Sequence, residues 1–192
     1  HAKNATGTYG YNKARIEEYL LKLAHENKLP ATVIHPGHVV GREWVPVNPQ
    51  GNFDIEIYLK ISNGEEITLP DFGTATLHHV HSQDIADQII ACLNNPSISV
   101  GEAYHSVSEK AVTLRGFAEY MFRKYGHEPK LKFLPWNELK PLLLKEHADA
   151  TETHISHSPC GSMEKSKEQL GFVPKYSSFE AVEEAVDYLL NA

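Results

Sequence analysis

The first side chains in this sequence that could do chemistry are a tyrosine and a lysine near its start. Tyr9 and Lys13 lie four residues apart, so on a helix both project from one face. A free tyrosine is a poor base at neutral pH, but a neighbouring ammonium group stabilises the phenolate. Such a pair can exchange a proton with an alcohol or a carbonyl. The spacing alone is weak evidence, because Tyr and Lys four apart occur by chance on many surface helices.

Histidines are the second group, and there are twelve of them. His78, His79 and His81 are crowded together, and His154, His157 and Cys160 follow one another at three-residue intervals. Structural zinc sites usually combine two well-separated ligand pairs, and no second cysteine pair exists here. We therefore predict no metal site and expect these histidines to line a polar pocket or the surface. A zinc-dependent hydrolase, which would need stoichiometric bound metal, ranks last among the alternatives.

The elements around Tyr9 and Lys13 indicate half of a βαβ unit. Apolar residues recur at helical spacing from Tyr9 to Asn27, with charged residues between them. Pro30 then precedes a short apolar run, Ala31 to His35, which is typical of a buried strand. A helix followed by a short connection and a strand favours a parallel sheet. The segment 36–51 contains several prolines and glycines and is predicted to be a long functional loop.

The remaining chain alternates helical and strand patterns, which favours an α/β fold. Helices are predicted at about 54–62, 83–93, 113–125, from Pro135 onwards, 163–170 and 178–190, and strands at about 67–69, 77–81, 103–107 and 130–134. Ser82 and Thr113 are the expected N-caps of the second and third of these helices. No Gly-x-Gly-x-x-Gly or Gly-x-x-Gly-x-x-Gly occurs, so no phosphate-binding turn is visible.

Composition narrows the class of protein. The 192 residues suit one ordinary domain, and a net charge of −7 with a pI of about 5.9 argues against a nucleic-acid partner. No apolar run approaches the ~18 residues of a membrane-spanning helix. Two cysteines do not make a disulfide framework, so a reducing cytoplasm is expected. Cys92 lies in an apolar helical pattern and is interpreted as a small buried hydrophobe.

The order of these motifs resembles one known family. Tyr9-Gly-Tyr-Asn-Lys13, a helix, a strand and then His35-Pro-Gly-His-Val-Val-Gly41 are similar to the extended short-chain dehydrogenases/reductases, often labelled NAD-dependent epimerases/dehydratases. Members usually read Tyr-x-x-x-Lys, helix, strand, Arg-Pro-x-x-Val-x-Gly. The segments Leu77–Ala86 and Leu170–Pro174 resemble later parts of the same family. The resemblance spans nearly all of the chain, and no single motif decides it.

The resemblance implies roles for individual residues. Tyr9 would be the general acid/base during hydride transfer, and Lys13 would stabilise its phenolate and hydrogen-bond the nicotinamide ribose, so both would contact the cofactor. Backbone groups of Pro36, Gly37, His38 and Val39 would face the nicotinamide end. Arg42 and Asn52 would be the polar contacts to substrate, although a solvated loop arginine is an equal alternative for Arg42.

Three departures from the family pattern matter. The serine or threonine that orients the substrate oxygen would fall at or before residue 1. His35 stands where relatives often carry arginine, which leaves the charge preference for substrate open. The glycine-rich turn and the acidic residue that contacts the ribose are absent from these 192 residues. The cofactor that the resemblance implies is NAD or NADP, with NAD favoured. Because the glycine-rich turn is absent, this chain alone is expected to bind it weakly or not at all.

The sequence thus predicts a partial Rossmann-type α/β fold, with a doubly wound, mostly parallel sheet and a small mixed substrate lobe. Residues 1–50 and 77–107 would belong to the Rossmann side, and residues 51–76 and 108–192 to the substrate lobe. The expected function is the C-terminal part of an NAD(P)-dependent epimerase, dehydratase or reductase. Its substrate would be a sugar nucleotide or a related hydroxyl or carbonyl compound. A homodimer through the tyrosine- and lysine-bearing helix is compatible with the pattern. The alternative is a non-catalytic module that binds a substrate or partner without reacting it.

Overall fold

A computed structural model of the protein describes residues 7–191. The helices are α1 (Gly7–His25), α2 (Glu56–Ser62), α3 (Ser82–Asn94), α4 (Pro96–Ser99), α5 (Leu114–Lys124), α6 (Trp136–Leu139), α7 (Lys145–His157), α8 (Glu164–Leu170) and α9 (Ser178–Asn191), with a 3-10 turn at Lys140–Leu142. The strands are β1 (Val33–Pro36), β2 (His38–Val40), β3 (Ile67–Pro70), β4 (Thr76–Leu77), β5 (His79–His81), β6 (Ala103–Ser106), β7 (Val112–Thr113) and β8 (Leu131–Leu134). Helices and short strands alternate, so the predicted α/β class is confirmed.

The strands pair two by two, and three of the four described pairs are parallel. β1 pairs with β6, β2 with β5 and β3 with β8, whereas β4 and β7 are antiparallel. Parallel strands need a crossover between them, and here α2 lies between β2 and β5, α3 between β1 and β6, and α5 between β3 and β8. The mostly parallel arrangement is the one that the alternating pattern predicted.

Gly37 is the point at which the chain changes strand partner. Its N–H donates to the carbonyl of Ser106 at 2.9 Å, and the next N–H, of His38, donates to the carbonyl of His78 at 2.8 Å. β1 therefore follows β6 up to Gly37, and β2 follows β5 directly after it. A Cβ on Gly37 would lie 2.2 Å from the His78 carbonyl oxygen. Only glycine allows the two pairings to meet this closely.

One main core joins the two parts that the sequence analysis separated. It brings Val40 and Val47 together with residues of α2, α5 and α9. Phe117 at its centre contacts the rings of Tyr58, His79 and Phe179 edge-on or tilted. The boundaries at residues 50, 77 and 107 stay a prediction, because this core draws on both sides of them.

Two buried polar groups attach the C-terminal tail to α3. The carboxylate of Asp84, 1% exposed, accepts hydrogen bonds from the backbone N–H groups of Lys175 at 2.9 Å and Tyr176 at 3.1 Å. His81 donates from Nε2 to Glu184 of α9 at 2.5 Å. These bonds hold α9 against β5, and the alanine and valine side chains on one face of α9 pack into the core.

Some local predictions were wrong in detail. Ser82 is the first residue of α3 and not its cap, because the Nδ1 atom of His81 accepts the Gln83 N–H. Thr113 does cap α5, accepting the Gly116 N–H at 3.0 Å. The segment 36–51, predicted to be a loop, contains the strand β2, and α7 was not predicted at all.

Cys92 is buried, as expected, and Cys160 is exposed. Within residues 7–191 there is no helix long and apolar enough to cross a membrane.

We predict that Gly37→Ala destabilises the protein by about 1–3 kcal/mol, because its methyl group would overlap a backbone carbonyl that cannot move aside. Gly161→Ala is the matched control, since its Cβ would meet side chains and no backbone: the two methyls of Val107 at 3.3 and 3.4 Å and the His105 ring at 3.6 Å. Urea unfolding monitored by circular dichroism measures both. Equal unfolding midpoints for the two variants would show that the partner change at Gly37 has no such constraint.

Candidate active site

Tyr9 and Lys13 lie on the first half of α1, where most of the helix surface is exposed. The Lys13 ammonium nitrogen lies 5.4 Å from the centre of the Tyr9 ring, within cation–π distance. The Tyr9 side chain is 76% exposed. The structure therefore places the two groups together, as their spacing predicted, on an accessible surface.

A cavity of about 470 Å³ lies between α1 and the end of β1. It is lined by Lys13 and five other residues of α1, by Val33–His35 of β1 and by His105 of β6. His35 donates from Nε2 to the Glu17 carboxylate of α1 at 3.0 Å, which ties the end of the strand to the helix. The cavity therefore runs along β1 between the strand and the first half of α1, with Lys13 on its helical wall.

The predicted cofactor-facing stretch continues directly from that strand into a second cavity. Pro36, Gly37 and His38 line one wall of this cavity of about 310 Å³, and the opposite wall consists of Thr153, His154, His157 and Pro159. Val39 turns away from it and lines a third cavity. The stretch 36–39 thus borders two separate spaces.

Arg42 lies beside that third cavity, of about 320 Å³, with Val39, Gly41, Glu43, Trp44 and Ser82. Its guanidinium carbon lies 4.8 Å from the centre of the Tyr188 ring of α9. Arg42 itself is exposed. Its charge is therefore accessible, while the ring of Tyr188 limits where it can move.

Asn52 is placed differently from Arg42, in a buried network of amides. Its Nδ2 donates to Gln50 and to Thr151 of α7, both at 3.1 Å, and its Oδ1 accepts from Asn48 at 2.7 Å and from the Asp54 N–H at 3.0 Å. The side chain is 0% exposed. All of its hydrogen-bonding capacity is used within the chain, so Asn52 fixes the loop 48–54 against α7.

Three histidine rings pack together where β2, β5 and α7 meet. The ring of His38 contacts His154 edge-on at 4.8 Å and lies 5.8 Å from His79. Burial lowers the pKa of His38 from the usual 6.5 to about 4, with a further contribution from His154. Burial, followed by the neighbouring His38, lowers the pKa of His79 to about 3. These rings are therefore neutral at physiological pH.

The histidines considered as metal ligands have internal hydrogen-bonding roles. His78 accepts the Gly161 N–H at Nδ1 and donates from Nε2 to the Ser108 carbonyl. His79 donates to the Val47 carbonyl at 3.3 Å. His78, His79 and His81 are all buried, so the expectation of a surface or pocket lining was wrong for them. Within residues 7–191, no three His, Cys, Asp or Glu side chains are arranged to hold a metal ion.

The predicted site residues thus do not surround a single cavity. They border three cavities in turn: the first is lined by Lys13, the second by Gly37 and His38, and the third by Arg42. Sequence reasoning missed α7, which supplies the facing wall of the second. The residues that α7 buries are Ala148 and Thr151, so its sequence lacks the stripe of large apolar residues that marks a helix.

The fold is shared with several solved structures. UDP-glucose 4-epimerase from Thermotoga maritima, solved with UDP-glucose, superposes with a TM-score of 0.65 at 20% identity, over 95% of this chain and 53% of that one. UDP-N-acetylglucosamine 4-epimerase from Bacillus cereus superposes with a TM-score of 0.67 at 20% identity, over 99% of this chain and 57% of that one. dTDP-glucose 4,6-dehydratase from Bacillus anthracis, in complex with NAD, superposes with a TM-score of 0.66 at 17% identity, over 97% of this chain and 53% of that one. The chain spans about half the length of these structures. The likeness to these structures shows a Rossmann-type α/β fold.

The sequence identifies the family more closely. The model of the NAD dependent epimerase/dehydratase family matches residues 2–105, a segment that contains Tyr9, Lys13, the stretch 36–39, Arg42 and Asn52. The chain belongs to this family. A comparison with curated protein sequences gives no match.

We predict that acid destabilises this protein through its buried histidines. In the unfolded chain a histidine takes up a proton near pH 6.5, whereas folded His38 and His79 resist protonation down to about 4 and 3. The contribution of these two neutral histidines to the free energy of unfolding is complete above pH 6.5. It is lost as the pH falls below 6.5, by up to about 1.4 kcal/mol per pH unit for each histidine.

Urea unfolding of the wild type and of His79→Gln between pH 8 and pH 4 tests this prediction. The slope of unfolding free energy against pH should be shallower in the variant below pH 6.5 and identical to the wild type above it. The same slope in both proteins at acid pH would remove His79 from the explanation.

Proposed function

We propose that this chain is the catalytic and substrate-binding part of an NAD(P)-dependent enzyme that epimerises, dehydrates or reduces a sugar nucleotide or a related compound. The observation that carries this proposal is the position of Lys13. Its side chain lines the cavity between α1 and β1 and also lies within cation–π distance of the ring of Tyr9. An ammonium group and a phenol are thereby brought together beside β1.

Tyr9 is the proposed general acid/base. Its phenolate oxygen would take a proton from a substrate alcohol and its hydroxyl would return one to a carbonyl, with the Lys13 ammonium group beside the ring. The exposure of Tyr9 leaves room for a substrate to reach the hydroxyl. Epimerisation, dehydration and reduction all begin or end with this proton transfer, so the pair serves each of them.

The residues present suit the nicotinamide end of a dinucleotide and not its phosphates. Lys13 would bind the ribose there, and the backbone of Pro36 to Val39 would border the nicotinamide. NAD(P) would supply hydride transfer. These 192 residues contain no glycine-rich turn, so we propose that the phosphates are bound by sequence outside this chain, which would complete a sheet with residues 1–50 and 77–107.

The proposed substrate side comprises residues 51–76 and 108–192, together with Arg42. The exposed guanidinium of Arg42 suits a phosphate or carboxylate of the substrate. Asn52 would act by holding the bordering loop in place, since its own polar atoms are occupied. The Thermotoga enzyme was solved with UDP-glucose, which supports a sugar nucleotide as the first substrate class to assay.

The exposed face of α1 supports a homodimer through this helix. Tyr11, Ile16 and Tyr19 are each more than half exposed there. Apolar surface of this kind is buried in most interfaces between subunits.

We predict that the isolated 192-residue chain binds NADH and NADPH weakly or not at all, because it has no backbone cradle for the pyrophosphate. Calorimetry or nicotinamide fluorescence at up to about millimolar cofactor measures this. Absence of binding is also what a non-catalytic module would give, so the full-length protein must be measured beside it. Micromolar binding to the chain alone would overturn our account of the phosphate site.

In the full-length protein, Tyr9→Phe should lower kcat by about 10²- to 10⁴-fold and leave cofactor affinity nearly unchanged, because only the exchangeable proton is lost. Lys13→Ala should reduce both turnover and cofactor binding. Turnover of UDP-glucose with NAD, followed by product analysis and nicotinamide absorbance, provides the measurement. Tyr11→Phe and Lys22→Ala on the same helix are the matched controls and should behave as the wild type. Normal turnover by Tyr9→Phe would rule out this mechanism and favour the non-catalytic module.

A further inference from the structure

The second cavity, between the stretch 36–38 and α7, has no lysine, arginine, aspartate or glutamate in its walls. Its lining consists of Pro36–His38, Thr153, His154, His157 and Pro159. Among these residues the titratable groups are the three histidines. A phosphate is normally bound by a cation or by several backbone N–H groups. The walls of this cavity instead resemble those that bind uncharged hydroxyl groups through neutral donors and acceptors.

His154 is held in a fixed orientation at this cavity. Its Nδ1 lies 2.6 Å from the carbonyl oxygen of Gly51, and because a carbonyl only accepts, Nδ1 must carry the proton. The ring is also packed edge-on between His38 at 4.8 Å and Phe53 at 5.7 Å. These three contacts fix both the tautomer and the direction of the ring.

The other ring nitrogen of His154 is consequently an acceptor. In the neutral ring with a proton on Nδ1, Nε2 carries a lone pair, and the hydrogen bond that the His154 side chain makes among residues 7–191 is the one from Nδ1 to Gly51. Burial lowers the pKa of His154, and the neighbouring His157 lowers it further, against the raising effect of the Gly51 bond. The ring therefore remains an acceptor near neutral pH and attracts an O–H group rather than an anion.

We propose that His154 is a specificity-determining residue whose Nε2 accepts a hydrogen bond from a hydroxyl group of the uncharged sugar ring of the substrate. This inference rests on the proposed function, because the cavity adjoins the stretch 36–39 that would border the nicotinamide. It assigns the sugar to the space between β1, β2 and α7, and it leaves the phosphates to the charged Arg42 side. The loop 48–54 acts through His154, since Gly51 orients the ring.

The test compares UDP-glucose with UDP, so that the contribution of the sugar is measured separately from that of the nucleotide. Calorimetry on the full-length protein with saturating NAD gives the ratio of the two Kd values. His154→Asn keeps a donor for the Gly51 carbonyl and removes Nε2. We expect it to reduce the preference for UDP-glucose by about five- to tenfold and to leave the Kd of UDP unchanged. His127→Asn, outside the cavity, should leave both Kd values unchanged.

His154→Gln separates recognition from a merely structural role. Its Oε1 can replace Nε2 as the acceptor but does not maintain the Gly51 bond, so we expect it to keep most of the preference for UDP-glucose. In the wild type the preference should also be constant between about pH 6 and pH 8, because a neutral ring makes the contact.

Three results would overturn the inference while the proposed function stands: an unchanged preference in His154→Asn, an equal loss in His154→Asn and His154→Gln, or a fall in UDP affinity that tracks pH. The last would mean that a protonated His154 contacts phosphate. Failure of the wild type to bind either UDP or UDP-glucose would overturn the proposed function and this inference together.

Discussion

The close approach of Gly37 to the carbonyl of His78 is the constraint on which the rest of the site depends. At this residue the chain leaves β6 and joins β5. The pairing before it fixes where β1 ends beside α1, and the pairing after it fixes where His38 and Val39 point. Because both pairings use backbone hydrogen bonds, the relative position of the cavity beside Lys13 and the cavity beside His154 is set by main chain rather than by side chains that could adjust.

The second organising feature is the attachment of α7 to the loop 48–54. Asn52 and Thr151 form one buried contact, and His154 and Gly51 form another. An unpaired amide in this position would cost about 1–3 kcal/mol, and here each polar atom of Asn52 has a partner. The loop and the helix therefore form one rigid wall, which is a requirement for any residue on α7 that is to recognise a ligand.

Electrostatics divide the site in a way that suits a two-part ligand. Lys13 and Arg42 place positive charges at the first and third cavities, where the carboxylates of Glu17 and Glu43 also lie. The second cavity has no lysine, arginine, aspartate or glutamate in its walls, which include the partly buried His38 and His154. The histidines remain neutral because burial removes water from the charged form, and each of the packed rings also disfavours a charge on its neighbours. A sugar nucleotide, with anionic phosphates and an uncharged ring, is complementary to such a division.

The sequence by itself determined the α/β class, the mostly parallel pairing, the family and the candidate pair Tyr9 and Lys13. The fold class, the pairing and the residue pair follow from local spacing: helical or strand periodicity, or two residues one helical turn apart. The family follows from the resemblance in the order of the motifs. Tertiary structure alone decided the roles of Asn52, His38 and His154, because these depend on partners about a hundred residues away, such as Thr151 for Asn52 and Gly51 for His154. Only the tertiary structure shows that α7 forms a wall of the second cavity. The residues that this helix buries are Ala148 and Thr151, so its sequence has no stripe of large apolar residues that would predict it. Burial and long-range partners, which no local pattern encodes, made the candidate metal-binding histidines hydrogen-bonded parts of a core and a cavity.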